Sequence, residues 1–279
     1  MSGYDETVAR FRRAVAGPPE EIPLGRAALL IAQTEYPGLD VDLYERRLEE
    51  IAAMLRARIA GAVDAETCLL AVNELLFSEL GFRGNQEHYE DLRNHFLNDV
   101  LEHRTGIPIT LATVFIEVCQ RSGLRAHGVG LPGHVVCRFD PPAGPQRYVD
   151  VFNGGRLLSP EDCRVLVEQL YGRRMAFQGH FLAAVTPRQL LQRMLHNLKA
   201  RALQHGDEER AARAIDLLLA MYPWELDELR DRGLLRERLG DYPAALADLE
   251  QYVRYRAGAR DIQTVSEAVR SLRRHVGRA

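Results

Sequence analysis

The stretch from Asn94 to Phe139 limits most narrowly what this chain can fold into. At its centre, after Gly106-Ile107, apolar side chains cover most of the circumference of a helix. The polar residues there form one narrow stripe and are Thr110, Thr113, Glu117 and Gln120. A helix with this pattern is buried on most sides rather than laid on a surface. Because proline fits the first helical turn, we expect a buried central helix from Pro108 to about residue 122.

Two strands are predicted after the central helix, over residues 134–140 and 147–152, with a proline- and glycine-rich turn centred near Ala143. Strand alternation then places His134 on one face of the pair and Cys137 on the other. The Cys137 thiol is therefore turned away from the histidine.

His134 and Asp150 form the candidate pair for chemistry on this sheet. With a turn near Ala143, Asp150 stands opposite Val136 and reaches His134 as a diagonal neighbour on the adjacent strand. A register slip of one residue would separate the two side chains. Their pairing has three interpretations: a structural hydrogen bond that fixes the strands, part of a ligand-binding cleft, or a catalytic base with its orienting acid.

Helical patterns also precede the central helix. Their ranges are residues 4–15, 22–35, 41–61, 64–80 and 91–102. In the last of them, Asn94 and Asn98 lie one turn apart and share a face. Their amides either hydrogen-bond the loops around a cleft or face solvent.

The last third of the chain repeats itself. Gly206-Asp207 recurs as Gly240-Asp241, and Ala211 recurs as Ala245, both 34 residues apart. That spacing is the period of tetratricopeptide repeats, in which pairs of helices stack. We expect Ala245 to lie inside a close crossing of two helices, together with Tyr242.

Thr186-Pro187 is the best boundary between the two parts of the chain. The predicted domains are therefore residues 1–186 and residues 187–279. From about residue 188 onward the chain is expected to be wholly helical.

Three separate motifs, NHFLNDVLEHRTGIPITL, GVGLPGH and DVFNGG, resemble the SirB-type transglutaminase-like family, whose members are often followed by helical repeats. The resemblance runs from about Ala27 to Thr186. It implies an α+β fold: a mostly helical transglutaminase-like (papain-type) domain with a small antiparallel sheet. An all-α tetratricopeptide-like repeat region follows.

The resemblance also implies which site residues are kept. In the wider superfamily a cysteine begins the buried helix, a histidine opens the next strand and an aspartate lies on its neighbour. His134 and Asp150 match the last two, and the nucleophile position falls on Pro108, which has no nucleophilic atom. Thr110 points about 200° away around the helix, and Cys119 lies three turns deeper, so neither replaces the thiol.

We therefore expect a non-catalytic, transglutaminase-like module that binds a protein or peptide and regulates it, not an enzyme. The alternative is a hydrolase or acyltransferase with a displaced nucleophile that uses the His134–Asp150 pair. Candidates for the binding cleft are Asn94, Asn98, Thr110, His134, Asp150 and Asn153.

Composition argues against several other classes. A net charge of −3 gives no reason to expect nucleic acid as a partner. No apolar run approaches the ~20 residues that span a bilayer, and the N-terminus is charged, so a cytoplasmic protein without a membrane partner is expected. The four cysteines lack metal-ligand spacing, so we expect reduced thiols, no metal and no cofactor.

Overall fold

The computed structural model describes residues 3–62, 64–141, 144–172 and 175–277. The turn predicted near Ala143 lies outside the described residues. The chain divides into two compact units, residues 17–194 on one side and residues 1–16 with 195–279 on the other.

The α-helices of the described residues are α1 (Gly3–Ala14), α2 (Leu24–Glu35), α3 (Val41–Ile59), α4 (Ala65–Asn73), α5 (Leu97–His103), α6 (Pro108–Arg121), α7 (Pro160–Tyr171), α8 (Pro187–Gln204), α9 (Glu208–Met221), α10 (Leu226–Arg238), α11 (Tyr242–Tyr255) and α12 (Ile262–Val276). The strands are β1 (Arg83–Gly84), β2 (Thr105–Gly106), β3 (Ala126–Val129), β4 (Val136–Phe139), β5 (Arg147–Asp150), β6 (Arg156–Leu158) and β7 (Ala184–Val185). None of the described helices is both long and apolar enough to cross a bilayer.

Helix α6 is the core of the unit formed by residues 17–194. It begins at Pro108 as predicted, and every residue from there to Cys119 is buried. Its polar stripe is satisfied internally: the Glu117 carboxylate accepts a hydrogen bond from the Gly25 backbone N–H at 2.7 Å and one from Arg121 Nε at 2.9 Å. A Cβ on Gly25 would lie 2.7 Å from Glu117 Cδ, so a larger residue there would displace the Glu117 carboxylate.

Strands β3 to β7 form one antiparallel sheet in the order β6-β5-β4-β3-β7. On one face the Cys137 thiol contacts the Ala112 carbonyl oxygen of α6 at 3.8 Å. The other face packs its apolar residues on α7, with Val136 among them. The sheet therefore lies between the two helices.

The register of β4 and β5 is the predicted one. Cys137 pairs with Val149 and Phe139 with Arg147, and this places Asp150 opposite Val136. The first predicted strand is shorter than expected and begins at Val136, because a turn at Gly133, with φ of +70°, precedes it. His134 lies at the end of that turn.

The prediction of a single helix over residues 91–102 is wrong. A 3₁₀ turn covers Leu92–His95, and α5 begins at Leu97. Between them Phe96 is extended, with φ of −105° and ψ of 125°, and its ring packs edge-on against Tyr36 at 5.6 Å. Asn94 and Asn98 therefore do not share a helical face.

The second unit repeats its geometry as its sequence does. Gly206 and Gly240 both have left-handed φ values, 72° and 81°. The next residue in each repeat, Asp207 or Asp241, accepts a hydrogen bond at its side chain from the backbone N–H three residues on. Each loop therefore ends one helix and caps the next in the same way. Among the described residues after Val185, all regular structure is helical.

Close packing of α10 on α11 confirms the prediction for Ala245, which is fully buried. A Cβ on Gly233 would lie 2.6 Å from Leu249 Cδ2, so the two helices touch there. The prediction for Tyr242 is wrong: it is 38% exposed and its ring lies beside His275, 5.2 Å away. Tyr242 is the first residue of α11, too early to enter the crossing, and Tyr252, 1% exposed, fills the interior.

The compact units differ from the domains predicted from sequence in two places. Helix α1 belongs with the C-terminal helices, since Tyr4 donates a hydrogen bond to Asp216 of α9 at 2.9 Å and Phe11 is fully buried. The boundary falls after Met194, within α8, instead of before Pro187.

Candidate functional site

The candidate site is centred on a histidine and a buried carboxylate. His134 Nε2 lies 3.0 Å from Asp150 Oδ1. The second carboxylate oxygen accepts a hydrogen bond from Asn153 Nδ2 at 2.7 Å. Burial alone would raise the pKa of Asp150, but the hydrogen bonds from His134 and Asn153 outweigh it and leave the pKa below its ordinary value. An ionised Asp150 therefore orients the imidazole.

The turn at residues 131–134 carries His134 at its end. The His134 N–H donates to the Leu131 carbonyl at 3.1 Å, and Gly133 supplies the left-handed conformation. From α8, Arg193 donates to the carbonyls of Leu131 and His134 at 3.1 and 2.9 Å. The His134 side chain is 13% exposed, so its ring remains within reach of a ligand.

Two aromatic rings form a wall beside the histidine. Phe152 packs edge-on against His134, with ring centroids 6.2 Å apart, and against Tyr89 at 5.9 Å. The Phe152 carbonyl accepts a hydrogen bond from the Gly84 N–H at 3.1 Å. A Cβ on Gly84 would lie 2.5 Å from the Phe152 ring, so glycine is required for the ring to lie there.

Asn94 holds the loop that carries Tyr89. Its amide nitrogen donates to the carbonyls of His88 and Tyr89 at 2.8 and 3.2 Å, and its amide oxygen accepts from Asn85 at 3.0 Å. Thr110, on the first turn of α6, donates to the Asn94 carbonyl at 2.8 Å. Asn94 and Thr110 are thus positioning residues, buried behind the cleft wall.

The remaining predicted residues divide between the site and the core. Asn153 joins the pair directly. Asn98 is buried, and its amide oxygen accepts no hydrogen bond from the described part of the chain. Pro108 is the buried first residue of α6.

A pocket of about 530 Å³ adjoins the aromatic wall. Its lining includes three carboxamides, from Asn85, Gln86 and Asn153, together with Phe152. Carboxamides offer both hydrogen-bond donors and acceptors, the same groups that a peptide backbone carries.

Comparison with known proteins decides the family. A model described as the transglutaminase-like superfamily matches residues 42–196, more than half of the chain. The chain belongs to the transglutaminase-like superfamily. A tetratricopeptide repeat model matches residues 198–270, within the helical unit.

Relatives of this transglutaminase-like chain occur in bacteria and animals. A UPF0162 protein of Xylella fastidiosa is 36% identical over 249 residues, which cover 88% of each chain. The UPF0162 protein YchA of Escherichia coli is 26% identical and covers 78% of this chain and 80% of its own. Human F-box only protein 21 is 29% identical over 62% of this chain and 28% of its own. A solved structure of menin is similar at a TM-score of 0.43 and 14% identity, covering 94% of this chain and 68% of the other.

The transglutaminase-like domain shields its thiols. Cys119, Cys137 and Cys163 are fully buried, and burial raises the pKa of each thiol, to about 12 for Cys163. Cys68 is partly exposed on α4, and burial raises its pKa as well. A reactive catalytic thiol shows the opposite shift, since its thiolate must be stabilised.

Three residues of the site were missed in the sequence. Phe152 belongs to the DVFNGG motif, which already marked the segment. Tyr89 and Arg193 carried no signal, because each depends on a contact with a distant segment. Among the described residues, no three histidine, cysteine or acidic side chains gather as metal ligands would.

Proposed function

We propose that this transglutaminase-like domain is a pseudoenzyme that binds a protein or peptide segment in the cleft beside His134. The observation that carries the proposal is the contrast between the His134 imidazole and the thiols. The His134 side chain is 13% exposed and is oriented by the buried Asp150, whereas all four thiols have pKa values raised by burial. An acyl transfer needs a nucleophile beside the base, and Pro108 at the start of α6 provides none.

The walls of the cleft support a peptide as its occupant. Phe152 and Tyr89 supply apolar area, and the carboxamides of Asn85, Gln86 and Asn153 lie in the adjoining pocket. Peptide-binding sites combine such anchors with polar groups that match the backbone. Tetratricopeptide repeats, which follow in the same chain, generally mediate contacts between proteins, and this agrees with an interaction module.

The alternative, a hydrolase in which His134 and Asp150 activate a displaced nucleophile or a water molecule, uses the same pair. The hydrolase hypothesis predicts a reaction product that is no longer formed when His134 is replaced. The binding proposal predicts that the bound peptide is released chemically unchanged.

Selection of displayed random peptides on the immobilised full chain tests the proposal. We expect selected peptides to lose affinity by roughly tenfold or more in Tyr89→Ala and Phe152→Ala, the effect of removing an aromatic anchor. Tyr255→Ala is the matched control, since this exposed tyrosine lies on α11 in the other unit. Calorimetry gives the affinities, and mass spectrometry of the recovered peptides shows whether they were cleaved or acylated.

Two results count against the proposal. Selected peptides that bind the cleft variants as tightly as the parent would place their site elsewhere. Peptides that return cleaved, and return intact from His134→Ala, would establish the hydrolase.

A further inference from the structure

We propose that the segment bound beside His134 carries a carboxylate, and that the guanidinium of Arg193 binds this group. The inference rests on the proposed function of the same cleft and specifies the chemistry of its occupant.

The guanidinium of Arg193 lies against the turn at residues 131–134. Its two terminal nitrogens donate to the carbonyls of Leu131 and His134. A Cβ on Gly130 would lie 3.4 Å from Arg193 Nη1, so the guanidinium packs directly on the backbone of this segment. Two donors are therefore committed to the turn, out of the five N–H groups that a guanidinium carries.

The charge of Arg193 lacks a counter-ion among the residues that the structure describes. Within the described part of the chain its hydrogen bonds go to neutral carbonyls, and no carboxylate pairs with it. Burial lowers the pKa of Arg193, and the groups that oppose this effect are the phenols of Tyr171 and Tyr89. A shielded cation without an acid partner is costly in the free protein, and that cost is relieved by an anionic ligand.

Two other shielded cations show how such a charge is paired. Lys199, 13% exposed, lies 2.8 Å from Glu228 and 2.7 Å from Asp231. Arg232 lies 2.8 and 2.7 Å from the carboxylates of Asp216 and Asp248. Arg193 has no such carboxylate partner among the described residues, and it lies where a ligand is expected.

The surroundings of Arg193 suit a peptide segment. Tyr89 and Tyr171 are each 40% exposed and come from different elements, the loop after β1 and the end of α7. A Cβ on Gly133 would lie 3.0 Å from the Tyr171 ring, which places this ring against the His134 turn. Aromatic groups beside a cation exclude water and strengthen its attraction to an anion.

A carboxylate fits this site better than a phosphate does. One planar guanidinium can hold one carboxylate through parallel hydrogen bonds. The adjoining pocket carries one cation and one anion, Arg83 and Glu87, besides neutral amides, so its lining adds no net positive charge for a dianion. The carboxylate belongs either to an acidic side chain of the peptide or to its C-terminus.

Three single-residue probes separate these sources: N-acetylglutamate amide has only the side-chain carboxylate, N-acetylglutamine only the terminal one, and N-acetylglutamine amide has neither. The full chain, labelled with ¹⁵N-arginine, is titrated with each probe to its solubility limit. The Nε–Hε signal of Arg193 is assigned by its loss in Arg193→Lys. We expect a saturable shift with at least one carboxylate probe, and an apparent affinity roughly tenfold weaker or worse with the neutral probe.

Arg193→Gln keeps donors for the two carbonyls but removes the charge, and calorimetry should show the carboxylate probes bound at least roughly tenfold more weakly. Arg188→Gln is the matched control, because this arginine also lies on α8 and donates to a backbone carbonyl, that of Gly17. If Arg193→Gln does not fold, the titration of the parent protein still decides.

An Arg193 signal that does not move with either carboxylate probe, or moves equally with the neutral one, overturns the inference. The proposed function survives that result if selected peptides still depend on Tyr89 and Phe152. Conversely, the Arg193 signal could respond to the carboxylate probes while no selected peptide depends on Tyr89 or Phe152. That result would support an anion-binding site at Arg193 and contradict the peptide-binding function.

Discussion

Asp150 Oδ1 lies 3.0 Å from His134 Nε2, and the Asp150 carboxylate is almost completely buried on a strand whose partner begins two residues after the histidine. The pair therefore joins β5 to the turn before β4, so it supports the fold as well as the cleft.

Replacing Asp150 with alanine should destabilise the protein by about 2–3 kcal/mol, because the hydrogen bonds that its charged carboxylate accepts from His134 and Asn153 are lost. Urea unfolding measures the loss. Asp42→Ala serves as the control, since Asp42 makes an exposed ion pair with Arg26 and its removal should cost under about 1 kcal/mol.

The dependence of the unfolding free energy on pH in the acid range gives a second test of Asp150. Its pKa is lowered in the folded protein, so the stability it supplies is present above its ordinary pKa of 3.8 and is lost as the pH falls through the folded value. Asp150→Asn should therefore show a flatter decline of the unfolding free energy below that pH. If the unfolding free energy falls equally steeply with decreasing pH in the parent and in Asp150→Asn, Asp150 is not ionised and hydrogen-bonded as described.

His95 is a buried histidine whose two ring nitrogens have no hydrogen-bond partner in the described residues. Burial lowers its pKa from 6.5 to about 4, and the nearby Asp91 only partly opposes this. The unfolded chain binds the proton more tightly, so stability is full above pH 6.5 and falls by about 3 kcal/mol as the pH drops to about 4.

His95→Leu should remove that slope and leave stability at neutral pH equal or higher, because two unpaired buried nitrogens are lost. The exposed His88, replaced in the same way, is the control for the substitution itself. Unfolding by urea at several pH values between about 4 and 6.5 compares the three proteins. A slope that survives in His95→Leu shows that another group titrates there.

Asn94→Ala should release the loop that carries Tyr89. Each lost hydrogen bond is worth ~1 kcal/mol, so hydrogen exchange of the amides over residues 85–90 should accelerate by roughly tenfold. Asn98→Ala is the matched control four residues on, since the Asn98 amide oxygen holds nothing in the described chain. Equal exchange in both variants would mean that Asn94 does not position the loop.

Ala245→Arg should destabilise the repeat unit by several kcal/mol, about 3 or more, because a charge would be buried unpaired where α10 and α11 touch. Ala247→Arg places the same side chain on the exposed face of α11 and should be nearly neutral. Thermal melting compares the two. Similar melting temperatures would contradict the close crossing.

Patterns with a fixed period predicted most of the fold. The apolar circumference of α6, the alternation around His134 and the 34-residue spacing each depend on neighbours in the chain, so they are visible in sequence. The predicted register of β4 and β5 is found in the structure for the same reason, because turn position and alternation determine it together.

The structural features that the sequence did not predict depend on contacts between distant segments. The break at Phe96 follows from the packing of its ring on Tyr36, some sixty residues away in the chain. Helix α1 joins the repeat unit through Tyr4 and Asp216, which no local pattern connects. Within the site, the sequence left open whether the Asn94 amide hydrogen-bonds loops around a cleft or faces solvent, and in the structure it hydrogen-bonds the loop that carries Tyr89.

Thiol reactivity tests most directly whether this transglutaminase-like domain is a binding module without a nucleophile. Iodoacetamide labelling, followed for each cysteine by mass spectrometry, is compared in the parent, His134→Ala, Pro108→Cys and the Pro108→Cys/His134→Ala double variant. We expect slow labelling of all four native cysteines, fast labelling at position 108 in Pro108→Cys, and slower labelling there once His134 is removed. A native cysteine that labels quickly in the parent and slowly in His134→Ala would contradict the account and establish a thiol enzyme.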